Sequence, residues 1–554
     1  MAKGHWKLAS IDKSKVKRFE YGLGLTAIAS TVLVSRGFKN EDAARGFLEP
    51  SMDDLGDVFL LPDIEPAVDK LVHAVVNDDH IVVLGHDDVD GITATTIVFG
   101  GLKEIGADVS YYIPDSPTEG LGLSRKLVDR FKNTGTKLVV TVDCGISCKE
   151  EIAYAKSLGI DTIVTDHHEP PEELPPAVAV VDAKRSDSKY GFRDLAGCGV
   201  AYRFMQGFAE RFRRIANPPS LDGMLGMAAL GSYADRVPLL GENRIIVANG
   251  VRDLLHKRTV PFRVLKSHIW VDEDSTMTEV LSKIVPVLGA ARSDEGGNIG
   301  SELLLSTEDD DAEEILSSLV TECERKKEKA RRALERVREH VAASQADSGK
   351  ALVLVEEHLP TKTVGYCAAK IAEDLHKPVV IIWMRGDIGI GEARGPKGVD
   401  LVGALSANKQ FLLGFGGHKQ AAGFSIDRSR IEEFRESLVA YFDAAIDPEM
   451  IRREILIDGR LALADLTVAN LKSLLRLEPF GQENRKPVFL LENIDAGMIK
   501  VINGAWRLGE VTLSGEALSR EKISNPQDKL SLVVSPFADG SIRFIEVMDI
   551  KKGK

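Results

Sequence analysis

His86, Asp88 and Asp90 stand at alternate positions in Gly85-His-Asp-Asp-Val-Asp-Gly91, directly after the apolar run Ile81-Val-Val-Leu84. That run reads as a strand buried on both faces. In an extended chain alternate side chains point the same way, so one imidazole and two carboxylates gather where the strand gives way to a helix start. Adjacent carboxylates repel each other, and a buried pair is costly. A divalent cation removes that cost. The competing reading is an acidic turn in water, which Asp and Gly form readily. Taken alone, the motif leaves both open.

The same residue types recur. The apolar run at 137–142 ends at Asp143-Cys-Gly145, the run at 161–165 ends at Asp166-His167-His168, and the run at 178–181 ends at Asp182. One such Asp is readily a helix N-cap. Strands ending in His/Asp/Asp, in Asp and in Asp-His-His together are not explained by caps. These are ligand types for hard or borderline divalent ions, with oxygen dominant and some imidazole. A further carboxylate, Asp235, closes an Ala- and Met-rich helical stretch at 224–230, where its alternative role is a loop residue paired with Arg236.

The elements that must position these groups follow from the pattern. Strand-like runs alternate with helical stretches from residue 80 onward, which predicts a mostly parallel, doubly wound sheet. Residues 1–75 read as helical. A charge-rich helix at 308–345 reads as a linker, its Lys and Arg forming a solvated face in preference to a contact with nucleic acid. A second α/β unit starts near residue 351 and contains Gly414-Phe-Gly-Gly-His-Lys-Gln-Ala-Ala-Gly423, read as a glycine-rich loop that lets His418 reach a phosphate. From about 452, short strands and turns with one helical insert suggest a small β-barrel.

Composition sets outer limits. At 554 residues the chain is too long for one core. Its 44% hydrophobic and 28% charged residues are those of a globular protein. The five cysteines suit reduced thiols, and Cys144 and Cys148 lack the second Cys/His pair of a zinc site. The net charge of −13 argues against non-specific coating of nucleic acid but leaves room for a local basic channel. No apolar run is long enough for a bilayer, and Met1 to Trp6 lack a signal-peptide layout, so a cytoplasmic protein without membrane contact is expected.

In this order and spacing the motifs resemble the DHH phosphoesterase superfamily, most closely the RecJ single-strand DNA exonucleases. The similarity continues through 190–200, Ala234-Asp235 with Pro238-Leu239, Gly416-Gly-His418 with Ala421-Ala-Gly423, and Pro479-Phe-Gly481. It implies a DHH domain at 76–307 after a helical region at 1–75, a connecting helix at 308–345, a DHHA1 domain at 346–448, and an OB-like domain at 452–554. It implies two Mn²⁺ or Mg²⁺ ions held by His86, Asp88, Asp90, Asp143, His167 and Asp235, with Asp143 as bridge. Asp143, Asp166 and His168 are the implied catalytic residues, His168 meeting the scissile phosphate or acting as an acid. Gly416, Gly417, His418, Arg394 and Arg292 would bind phosphate.

The implied activity is 5′→3′ hydrolysis of single-stranded DNA in repair or recombination, by a monomer that meets single-strand-binding or replication proteins. The alternative is a phosphodiesterase for short oligonucleotides or cyclic dinucleotides. Some positions depart from the family pattern. His86 replaces the usual Asp, Asp115-Ser116 stands where an Arg is usual, Leu121 replaces an aromatic residue, and Glu392 replaces a hydroxyl. The last three bear on recognition of a 5′ phosphate.

Overall fold

The computed structural model describes residues 4–115, 119–120, 122–256, 259–271, 275–290, 298–343, 349–360, 363–502, 505–515, 517–520, 525–539 and 542–552. A short strand, β1 (His5–Leu8), comes first. The helices Lys13–Leu23, Ala27–Ser35, Glu41–Leu48 and Ile64–Val76 follow it.

The first lobe is built on β2 (Ile81–Leu84), β3 (Val109–Tyr112), β4 (Leu138–Val142), β5 (Asp161–Thr165) and β6 (Ala179–Val181). They pair in the order β3-β2-β4-β5-β6, and every pair is parallel. Alternate residues explain the double winding. Ile81, Val83, Leu138 and Val140 face a core shared with the helices Ile64–Val76, Val89–Glu104 and Gly197–Phe212. Val82, Leu84 and Val139 face the opposite core, with Leu127, Phe131 and Ile152. Both faces of the central strands are covered, so β2 reads as an unbroken apolar run and β4 as one broken only by Thr141. The strand order reverses between β2 and β4, and ligands bind at the carboxyl ends of strands flanking such a reversal.

The helix Asp309–Ala343 leaves this lobe. Ala312, Leu316, Leu319 and Cys323 pack among the helices of the first lobe. Ala333, Leu334 and Val337 pack on the second. The turns between them carry the charge run.

The second lobe holds β7 (Leu352–Glu356), β8 (Val379–Arg385), β9 (Ile388–Arg394), β10 (Leu412–His418) and β11 (Ala421–Asp427). Their order is β10-β11-β9-β8-β7, and only β7 and β8 are parallel. The segment read as a glycine-rich loop is instead an antiparallel hairpin, with Gly416 opposite Gly423 and His418 opposite Ala421. Glycine marks turns in sequence, but here Gly414, Gly416 and Gly423 are strand positions, and the turn is Lys419-Gln420.

The third sheet comprises β13 (Gly459–Leu461), β14 (Phe489–Asp495), β15 (Ile499–Ile502), β16 (Ala505–Leu508), β17 (Val511–Ser514), β18 (Lys529–Asp539) and β19 (Ile542–Lys552), after β12 (Glu454–Ile457). The helical insert is Val468–Leu474. The core of this sheet is completed by Phe19, Leu23, Leu33 and Phe47 from the opening helices. β1 pairs in parallel with β12, and Trp6 Nε1 donates to Asp549 at 2.7 Å. The two ends of the chain therefore fold together. Arg244 fastens them to the first lobe. Its guanidinium stacks 3.6 Å from the Phe47 ring centroid and donates to the carbonyls of Phe47 and Glu478.

Candidate metal centre

β2 ends at Leu84, and the helix Val89–Glu104 begins five residues later. Asp88 is the N-cap of this helix and accepts from the Gly91 amide at 2.9 Å. The extended alternation expected through His86, Asp88 and Asp90 therefore stops at Asp88, because Asp90 already lies in the first helical turn. The structure splits the three residues. His86 and Asp88 group with Asp143, whereas Asp90 groups with His167 and Asp235. In each group the ligand atoms lie within 4.8 Å of one another.

Asp143 also groups with His167 and His168, so it adjoins the second set through His167. It leaves β4 with φ of 57°, a left-handed conformation that Asp tolerates better than most residues. Its side chain is buried, and Oδ1 has no hydrogen-bond partner. His167 Nε2 lies 3.1 Å from that oxygen, and also 3.9 Å from Asp90 Oδ2 and 3.8 Å from Asp235 Oδ2. Burial, and then the neighbouring charges of Asp90, Asp88, Asp166 and Asp235, push the Asp143 carboxyl well above its ordinary range. Burial and the charges of Asp90 and Asp88 push Asp235 up to about 7. Burial lowers His167, which favours the neutral imidazole that a metal requires.

An unpaired buried carboxylate costs several kcal/mol after relaxation. Here the carboxylates of Asp88, Asp90, Asp143 and Asp235 and the imidazoles of His86 and His167 face one another. A divalent ion suits this donor set, oxygen-rich with imidazole.

The surrounding backbone holds these side chains in place. The Gly197 and Cys198 amides donate to the two oxygens of Asp90, each at 2.8 Å. These donors begin the helix Gly197–Phe212, and sequence reasoning misses their part in the site. The available signal is the glycine pattern of Leu195-Ala-Gly-Cys-Gly-Val200. A methyl group at Gly197 would meet Asp143 Cβ at 2.6 Å, and one at Gly231 would meet Asp90 Oδ1 at 2.8 Å. Glycine is needed at both positions because other backbone and side chains already fill that space.

Asp166 plays a different part from Asp143. Its carboxylate accepts from the amides of Ile146, His167 and His168 and from His168 Nδ1, the last at 2.7 Å. Burial alone would raise its carboxyl, but the His168 bond and charge and these amides hold it below the usual range. The same bond raises His168. His168 leaves 60% of its side chain exposed at the site, so Asp166 presents an oriented, protonatable imidazole. Asp182 behaves as a local turn residue, accepting from the Lys184 amide at 2.7 Å.

The second lobe places His418, Ala421 and Arg394 on one cross-strand row, with Gly416, Gly423 and Glu392 on the row two residues away. Directly opposed residues share a face, so His418, Arg394 and Glu392 stand on the same side of the sheet. Arg394 Nη1 donates to Glu392 at 2.8 Å. A side chain at Gly416 would meet nothing within 4 Å, so this row is open. Gly417, at φ of 134°, has no such freedom. Asp115 donates its amide to Glu119 Oε2 at 3.0 Å. Arg292, Ser116 and Leu121 lie outside the described residues. All five cysteines are free thiols, and Cys144 is buried against β2.

Comparison with known proteins adds an independent observation. Residues 80–276 match the DHH family, N-terminal domain, residues 348–444 match the DHHA1 domain, and residues 457–521 match the RecJ OB domain. The chain is 30% identical over 495 residues to the single-stranded-DNA-specific exonuclease RecJ of Bacillus subtilis, covering 89% of this chain but 62% of that protein. It is 30% identical over 490 residues to the exonuclease of the same name from Salmonella typhimurium, covering 82% of this chain and 80% of that one. The crystal structure of RecJ in complex with Mn²⁺ from Thermus thermophilus superposes with a TM-score of 0.83 at 27% identity, over all of this chain and 80% of that one.

Proposed function

The chain belongs to the RecJ family, and from that premise we propose that it is a two-metal nuclease that hydrolyses phosphodiester bonds of single-stranded DNA, removing nucleotides from the 5′ end in repair or recombination. The observation that carries the reading is Asp143 Oδ1, buried and without a hydrogen bond, facing His167 and lying between two ligand groups.

His86, Asp88 and Asp143 would hold one divalent ion, and Asp90, His167 and Asp235 the other, with Asp143 reaching both. Mn²⁺ or Mg²⁺ in this place supplies the chemistry of two-metal hydrolases, activating water and stabilising the attacking and leaving oxygens. The protein's own residues do the rest. The amides of Gly197 and Cys198 fix Asp90 so that its ligand oxygen needs no reorganisation. Asp166 is a positioning residue, holding His168 by Nδ1 and leaving Nε2 for the phosphate being cleaved. As the ester P–O bond breaks, His168 returns a proton to the departing oxygen. His418 and Arg394 of the second lobe hold phosphate from the opposite side, which the polyanionic strand requires.

Residues 76–307 then form the catalytic unit and 346–448 the lobe that closes on the strand. Residues 452–554 bind the strand beyond them, and 308–345 join the lobes. Single-strand binding by such a barrel uses stacking and a basic groove. Phe537 and Phe544 stack at 5.1 Å on this sheet, with Phe537 exposed, which supports that role. Among the described residues no helix is long and apolar enough to cross a membrane. We read the protein as a cytoplasmic monomer that works on strands handled by single-strand-binding or replication proteins.

The test is Mn²⁺-dependent release of mononucleotides from a 5′-labelled single strand, beside a blunt duplex, a dinucleotide and the Asp143→Ala variant. Release from the single strand alone, lost in the variant, is expected. Equal rates on duplex would sink the claim of strand specificity. Preference for the dinucleotide would move the assignment to small substrates.

A further inference from the structure

Between its two packed ends, the helix Asp309–Ala343 carries Arg325, Lys329, Arg332 and Arg336, spaced by four, three and four residues. That spacing puts the four on one stripe of helix surface. The stripe lines a groove of about 460 Å³, closed on its other side by His358, Leu359 and Pro360 just beyond β7.

The groove is positive in a chain whose net charge is −13. Its one carboxylate, Glu328, is engaged with Arg331 and Arg332. Arg325 is held by Glu322 at 2.7 Å. Lys329 and Arg336 have no acidic partner among the described residues, although Lys329 is half-buried. The other flank of the same helix is neutralised in the ordinary way, by Lys327 with Glu324 and Arg331 with Glu335. The uncompensated charge is therefore confined to the flank that faces the groove.

Two further observations indicate what the groove holds. From Arg325 to Arg336 the helix rises about 16 Å. Cations that recur along an axis suit a polyanion that recurs along an axis, rather than one compact anion. The stripe also crosses the junction of the lobes. Lys326 Nζ donates to Ala290 of the first lobe at 3.3 Å, while Ala333 and Val337 pack on the second.

We propose that this groove is an accessory track for single-stranded DNA, holding backbone phosphates of the strand outside the metal centre. The identity of the strand rests on the nuclease reading above; the chemistry of the metal centre does not enter.

The test uses the full chain, with Lys329→Gln and Arg336→Gln combined. A labelled single strand of about 20 nucleotides, long enough to extend past one binding module, is titrated in chelator across a salt series. Each lost phosphate contact lowers the slope of log affinity against log salt by about 0.7 for a single strand, so the pair lowers it by about 1.4. Affinity at low salt falls about tenfold. The charge-preserving pair Lys329→Arg and Arg336→Lys keeps the parent slope. Metal-dependent hydrolysis of a strand of about 4 nucleotides, too short to leave the cleft, is unchanged. An unchanged slope in the Gln pair overturns the proposal and leaves the groove to an acidic protein segment. Equal loss in both pairs also overturns it, because packing rather than charge is then at work. Should the protein hydrolyse nothing, the salt slope still reads the track, so the two proposals fail separately.

Discussion

The two α/β lobes use their sheets in opposite ways. In the first, every strand is parallel and both faces are buried, so polar side chains collect at the carboxyl ends, and the strand order brings those ends together. The result is a concentration of carboxylates faced by imidazoles. In the second, antiparallel pairing runs out to an exposed edge strand, and a cross-strand row presents His418 and Arg394 beside unfilled glycine positions. A parallel switch point builds a pocket for a cation; an antiparallel edge builds an open row that an extended anion can lie against. One sheet is suited to the metal and the other to the strand.

The contrast is broken most severely at Asp143. Asp143→Ala removes the carboxylate that groups with His86 and Asp88 and faces His167 of the other set, and we expect hydrolysis to fall by about 10⁴-fold or more, in line with loss of a two-metal site. The gain in melting temperature on adding Mn²⁺ should disappear with it, as read by thermal unfolding with and without the ion. A variant that keeps its Mn²⁺ stabilisation would show that Asp143 does not bridge.

His168→Ala should lower kcat by about 10²–10⁴-fold, the range of a lost general acid, while leaving the Mn²⁺-induced stabilisation intact. Asp166→Asn should move the basic limb of the pH–rate profile to lower pH, because the bond that raises His168 is weakened and a general acid acts only while protonated. An unchanged profile would mean that Asp166 is structural only.

His418→Ala and Arg394→Ala test the other half of the comparison. Each should raise KM for a single strand by about tenfold, the scale of one charge-assisted phosphate contact, with little change in metal affinity. Loss of metal binding in either variant would contradict the division of labour between the lobes.

The smallest effect expected is on stability against pH. Asp235 lies near 7 in the folded, metal-free protein and near the ordinary carboxylate value when unfolded. Its folded value is raised, so its contribution to stability is full below about pH 4 and is lost as pH rises toward 7. Metal-free protein should lose a few degrees of melting temperature over that window, while Mn²⁺-loaded protein should not. A metal-free curve flat between those values would show that Asp235 is ionised without the ion.

Much of this is legible in the residues. The buried runs at 81–84, 138–142 and 161–165 announce their strands because parallel strands covered on both faces take mostly apolar and β-branched side chains, Thr141, Thr162 and Thr165 among them. The acids and histidines at their ends follow directly. The glycine-rich hairpin at 412–427 passes for a loop because glycine carries the same mark in a turn and in a strand that leaves its face open. β1 escapes notice because four residues show too little alternation, and its partner β12 lies near the other end of the chain.

By itself the sequence determined which acids and histidines stand at the strand ends and which local element carries each, since period and end signals act over a few neighbours. Only the tertiary structure decided how those residues are grouped. The helix beginning at Val89 turns Asp90 away from His86 and toward His167 and Asp235. The amides of Gly197 and Cys198, more than a hundred residues on, hold Asp90 there. The opening helices complete the core of the last sheet. Each of these depends on which strand ends and helix starts become neighbours. That is set by the order of strands in the sheet and by burial between distant segments, which no local spacing encodes.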